Sequence, residues 1–189
     1  VAWQWKANGG TTTAFSESGN NPGGTYQANT TAGISIITYT GTGAAGTVTH
    51  GLGVAPKLII IKNRDVADPW AVYYGDATDY LVLNTTAATV DNAAWWNDTA
   101  PSSTVFTVNT DHSVNADGED YIAYCFANVQ SFSKVGTYVA NANVDGPFLY
   151  TGFQPAWILR KALSRNEPWM LIDNKRNPSN VAASNLDAS

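Results

Sequence analysis

Short apolar runs alternate with clusters of Gly, Asn, Asp and Pro along this chain, a pattern that predicts strands joined by turns. Ile34-Ser-Ile-Ile-Thr-Tyr39 is the first such run, and Gly41-Thr-Gly43 turns it. Thr47-Val-Thr-His50 follows, closed by Gly51-Leu-Gly53. Lys57-Leu-Ile-Ile-Ile-Lys62 is apolar on consecutive positions, which predicts a strand buried on both faces. Trp70–Tyr74, Tyr80–Leu83 and Thr104–Val108 read as further strands, with a polar loop over 63–68. Glu119–Ala127 alternates, so Ile122, Tyr124 and Phe126 share one face. The stretch Asn84–Ala100 fits either a short helix around 91–96 or a decorated loop. Many short strands with turn residues between them predict an all-β fold, sandwich or jelly-roll-like.

The pattern also repeats. A shift of 99 positions carries Tyr39 onto Tyr138, Gly53 onto Gly152, Pro56 onto Pro155, Lys62 onto Lys161 and Pro69-Trp70 onto Pro168-Trp169. A second echo, at a shift of 121, carries Val1-Ala-Trp-Gln-Trp5 onto Ile122-Ala-Tyr-Cys-Phe126. Internal repeats predict tandem modules, each burying apolar surface against its neighbour. The expected organisation is a closing strand of a preceding unit over 1–7, a linker over 8–30, a complete β module over 31–128 and a partial second module over 129–189. On this reading residues 39–74 and 138–173 share a backbone, Trp70 and Trp169 are both core, and Val1–Lys6 is a half-buried strand.

Composition narrows the function classes. Charged residues make up 13% of the chain, about half the roughly 25% of an average protein, and the net charge is −5. The ten Lys and Arg form no cluster longer than Arg160-Lys161 or Lys175-Arg176. Duplex nucleic acid needs a basic stripe to neutralise its phosphates, so nucleic acid is not an expected partner. Membrane insertion is not expected either: the longest apolar run, Leu58–Ile61, is strand-sized, against the ~20 residues of a spanning helix. A single cysteine, Cys125, excludes an intramolecular disulfide and lies in an alternating run, where it reads as a small buried hydrophobe.

Tyr39-Thr-Gly-Thr-Gly43, Val48–Lys57, Lys62-Asn-Arg64, Asp120–Ala127, Gly146–Pro155 and Asp173–Pro178 together resemble a repeated domain of unknown function. That domain occurs in virion structural proteins of bacteriophages, marine ones especially, many of them tail-fibre-like. The resemblance implies a non-enzymatic component of the virion: a tail fibre, a spike or a head decoration. It implies other virion proteins and further copies of the chain as partners, and brings no catalytic residue, cofactor or metal with it.

The candidate binding residues lie in the ambiguous loop. Trp95 and Trp96 are flanked by Asn92, Asn97 and Asp98, and aromatics beside amides and carboxylates are how many proteins stack on and hydrogen-bond to sugars. The alternative is that both indoles plug the end of the sandwich or a subunit contact. The first alternative would make the chain a carbohydrate-binding adhesin module facing a host-surface glycan. His50, before the Gly51–Gly53 turn, reads as a turn-fixing residue, and His112 beside Asp111 has no nucleophile or elbow motif to serve. Asn115-Ala-Asp-Gly-Glu-Asp120 has oxygen ligands around a glycine, but the twelfth position of a calcium loop would be Phe126, so it reads as a hairpin turn.

Overall fold

The computed structural model describes residues 4–175 together with Leu186–Asp187. In chain order the elements are β1 (Thr13–Phe15), β2 (Gly24–Asn29), β3 (Ile34–Thr40), β4 (Gly46–Thr49), β5 (Leu58–Asn63), β6 (Ala71–Tyr73), β7 (Asp79–Val82), β8 (Val90–Asp91), α1 (Ala93–Trp96), β9 (Val105–Val108), α2 (His112–Asn115), β10 (Asp120–Phe126), β11 (Trp157–Arg160), β12 (Met170–Asp173) and β13 (Leu186–Asp187). Eight strands form one antiparallel sheet in the order β1-β2-β3-β10-β5-β6-β7-β8, β4 pairs with β9, and β11, β12 and β13 form a third sheet in that order. The architecture is all-β.

The sheet is built outward from β10. Its alternation sends Tyr121, Ala123 and Cys125 to one face, while Ile122, Tyr124 and Phe126 share the other, as the spacing predicts. Register then extends the inner face across the strands: Tyr26 opposes Ile37, Ile37 opposes Ala123, Ala123 opposes Ile61, Ile61 opposes Ala71 and Ala71 opposes Val82. Val48 of β4, Phe106 and Val108 of β9, both indoles of α1 and Val114 of α2 close over that face into a single buried cluster. β5 is packed on both sides: Ile59 and Ile61 belong to this cluster, and Leu58 and Ile60 pack beneath Val72, Leu81 and Trp169 on the opposite face.

The stretch 8–30, expected as a linker, is part of the sheet. β2 pairs with β3 over six residues, from Gly24–Tyr39 to Asn29–Ile34, and β1 adds outside it. The contact is close enough that a Cβ at Gly24 would stand 2.0 Å from the Thr38 carbonyl oxygen, so only glycine fits. The ambiguous stretch resolves into β8 and the one-turn α1.

β11 and β12 repeat the pairing of β5 and β6. Ile59–Tyr73, Ile60–Val72 and Ile61–Ala71 become Ile158–Ile172, Leu159–Leu171 and Arg160–Met170, each residue moved by 99. The wider expectation for 39–74 and 138–173 does not hold. Residues 134–156 carry no strand, and Tyr138, the counterpart of buried Tyr39, is exposed. Tyr39 is covered because β10 lies beside β3 and stacks Tyr121 on it at 5.1 Å, and no described strand does this for Tyr138. Trp169 is buried but Trp70 is only half-buried, so the two tryptophans are not equivalent. The expected strand over Val1–Lys6 lies partly outside the described residues, and Gln4–Lys6 carry no strand. Trp5 instead lies edge-on to Phe126 and Trp157, with ring centroids 6.0 and 5.3 Å away.

Candidate functional site

The five residues expected to bind a ligand are brought together by α1, and each has a structural task there. The Asn92 side chain accepts the Ala94 N–H at 2.9 Å and caps the start of the helix. Asn97 ends it in the left-handed region at φ 52, its N–H donating to the Ala93 carbonyl at 2.8 Å, and Asp98 follows at φ 49. Asn109 ties this turn to β9 by donating from Nδ2 to the Ala93 carbonyl and to Asn97 Oδ1, at 2.9 and 3.2 Å. A turn so held aims both indoles inward. Trp95 stacks on Tyr80 at 3.8 Å with the planes 5° apart, and Trp96 meets the edge of Tyr73 at 5.8 Å. Trp95 and Trp96 are 4% and 1% exposed, so the open aromatic face that a sugar platform needs is absent. Both indoles fill the main buried cluster. Trp96 Nε1 donates to no described residue, an unmet bond in an apolar setting.

Of the remaining polar candidates, His50 and Asn115 also turn inward, whereas His112, Asp117 and Asp120 are exposed. His50 is buried; its Nδ1 accepts the Leu52 N–H at 3.2 Å and its Nε2 lies 3.3 Å from the Ser102 carbonyl. This pins the Gly51–Gly53 turn to the loop before β9, and burial pulls the imidazole pKa below its ordinary value. Gly51 has φ +69, and a Cβ there would enter the Tyr26 ring, so the turn requires glycine. The Asn115 side chain accepts from the Thr42 N–H at 2.9 Å and donates to the Ala44 carbonyl at 2.7 Å, which makes it a brace for the turn between β3 and β4. Among the described residues no group of three or more His, Cys, Asp and Glu side chains could hold a metal ion.

One buried polar centre escaped the sequence reading. Asn63, at the end of β5, accepts from the Asp65 and Val66 N–H groups and donates toward Asp68, Glu119 and the Tyr121 hydroxyl. Tyr121 in turn donates to the His112 carbonyl at 2.6 Å and accepts from the Ala116 N–H at 2.8 Å. Burial raises the Tyr121 pKa, so the phenol stays protonated and available as a donor. The network knots two loops to the central strand. Its sequence signal was the polar pair Lys62-Asn63 directly after the apolar run Leu58–Ile61.

The exposed chemistry lies elsewhere. Phe148, Leu149 and Tyr150 stand exposed between Gly146-Pro147 and Gly152, with Val139 and Val144 nearby in sequence. An open cavity of about 870 Å³ has Lys57, Tyr74, Asp76, Asn128, Val135 and Tyr138 among its lining residues.

The chain belongs to a family described as a domain of unknown function, DUF7483, whose model matches residues 1–189. No curated protein and no solved structure matches it.

Proposed function

We propose that this chain is a non-enzymatic structural component of a bacteriophage virion, a tail fibre, spike or head decoration, built from tandem β modules. The observation that carries the reading is the repeated hairpin. β11–β12 has the register of β5–β6 at a shift of 99, and it packs on that hairpin, with Leu159 and Trp169 against Leu58, Ile60 and Val72. Units that bury apolar faces on one another are the way a rod or spike gains length. The exposed run Phe148–Tyr150 supports contacts with further copies or other virion proteins, since exposed aromatics of this kind are typical of interfaces. Gold-labelled antibody against the chain, applied to purified phage particles of its source, should decorate a fibre, spike or head in regular array. Particles that lack the chain by both labelling and mass spectrometry would overturn the proposal.

The carbohydrate-binding reading keeps one specific support, the open cavity whose lining includes Tyr74 and Tyr138, with Asp76 and Asn128 to meet hydroxyls. A glycan array separates the two. Binding that Tyr138→Ala removes would favour the adhesin, and a silent array leaves the structural role as the better account.

A further inference from the structure

β5 and β11 are counterparts, yet their outer edges differ. β5 lies between β6 and β10, whereas β11 is the outermost strand of its sheet, and its free edge pairs with no described strand. A free edge presents a row of backbone donors and acceptors and takes up an added strand readily. The first hairpin shows what kind of strand fits. β10 runs antiparallel to β5 with Phe126 opposite Leu58, Cys125 opposite Ile59 and Tyr124 opposite Ile60. The chain has another run of that type, because Val1–Trp5 falls on Ile122–Phe126 at the shift of 121.

The two shifts converge in space. Trp5 is the counterpart of Phe126, and Trp157 is the counterpart of Leu58. Phe126 and Leu58 are register partners, and the Trp5 and Trp157 rings meet at 5.3 Å. Trp5 nevertheless stays 41% exposed and Ile158 44% exposed, so both have apolar surface left to bury. We infer that the outer edge of β11 is a strand-acceptor site, and that its occupant is the opening segment of the same chain. The segment, which carries no strand at Gln4–Lys6 in the structure, docks there antiparallel, with Trp5 opposite Trp157 and Gln4 opposite Ile158. The inference rests on the repeat underlying the proposed function. It gives the second hairpin the strand that β10 gives the first.

Cysteine pairs in the full chain test it, since a disulfide forms only where Cα atoms approach within about 7 Å. Gln4→Cys with Ile158→Cys should oxidise to a single intramolecular bridge. Gln4→Cys with Arg160→Cys, two positions out of register, should do so at least about tenfold more slowly. Cys125 is buried and stays out of the exchange. Bridges between chains, equal rates for the two pairs, or no bridge would each overturn the inference. Ile158→Cys with Ile172→Cys reports the β11–β12 register separately. If that bridge forms and the Gln4 bridge does not, only the acceptor site fails; if neither forms, the repeated hairpin and the proposed function fail with it. Hydrogen exchange covers the case of a misfolded variant. Trp5→Ala should speed exchange of β11 amides at least about tenfold and leave β5 amides unchanged, and unchanged β11 amides would count against the acceptor site.

Discussion

Trp169 should be the main apolar anchor of the second hairpin on the main sheet, beside Leu159, Leu163 and the backbone bonds Thr89–Leu163 and Glu167–Thr86. Its indole is 4% exposed, packs with Val72 and Leu81, and donates from Nε1 to the Val82 carbonyl at 2.9 Å. An aromatic side chain buries ~150–250 Å², which at ~25 cal/mol per Å² is an upper estimate of about 4–6 kcal/mol. Truncation of such residues to Ala costs roughly 3–5 kcal/mol. Trp169→Phe keeps most of the area and loses the hydrogen bond, which is worth about 1 kcal/mol. The loss should be local, because the main cluster around Ile37, Phe106 and Tyr121 does not include Trp169. In hydrogen exchange followed by mass spectrometry, Trp169→Ala should lower protection of β11 and β12 by roughly a hundred- to a few-thousand-fold, and Trp169→Phe by about fivefold. Amides of β3 and β10 should exchange as in the parent chain. Equal loss in β3 and β10 would mean that hairpin and sheet unfold as one unit, and unchanged β11 and β12 would mean that Trp169 is not the anchor. Either result refutes the reasoning.

Three further outcomes follow from the core. Trp96→Ala should lower global stability by about 3–5 kcal/mol in urea unfolding; a loss below about 1 kcal/mol would contradict its place in the main buried cluster. Tyr39→Phe removes a buried 2.6 Å bond to the Val114 carbonyl and should cost about 1–3 kcal/mol by the same assay, with secondary structure by circular dichroism unchanged. Burial lowers the His50 pKa below 6.5, so the unfolded chain takes up its proton first. The stability tied to this neutral imidazole is fully present above pH 6.5 and is lost as pH falls from 6.5 through the folded pKa, by up to ~1.4 kcal/mol per pH unit. His50→Gln should flatten that part of the unfolding profile, and an unchanged slope would show that another group carries it.

The strands legible in the sequence were those whose side chains alone determine their burial. Leu58–Ile61 declared a strand packed on both faces, and Tyr121–Phe126 declared its two faces by alternation. β2 was not legible, because Gly24-Thr-Tyr-Gln-Ala-Asn29 has little strand propensity. It is a strand because β3 offers it an edge and Tyr26 finds apolar partners there. Around α1 the residue types fit two chemistries. Asn before and after a short run is helix-capping as much as sugar-binding composition, and the caps decide where Trp95 and Trp96 point. The recurrence of Pro-Trp placed Trp70 and Trp169 alike, but burial depends on what lies across from them. Trp169 has the outer face of the sheet, and Trp70 has no comparable partner in either buried cluster.

The position of Cys125 turns the chain into its own clock. The thiol is wholly buried in the middle strand of the largest sheet, and burial raises its pKa, so the reactive thiolate is doubly withheld. A thiol reagent can reach it only when β10 parts from its neighbours. Labelling under native conditions therefore times the rarest and largest opening of the molecule, with no engineered probe. In an assembled particle the same reaction would register whether neighbours slow that opening, copy by copy.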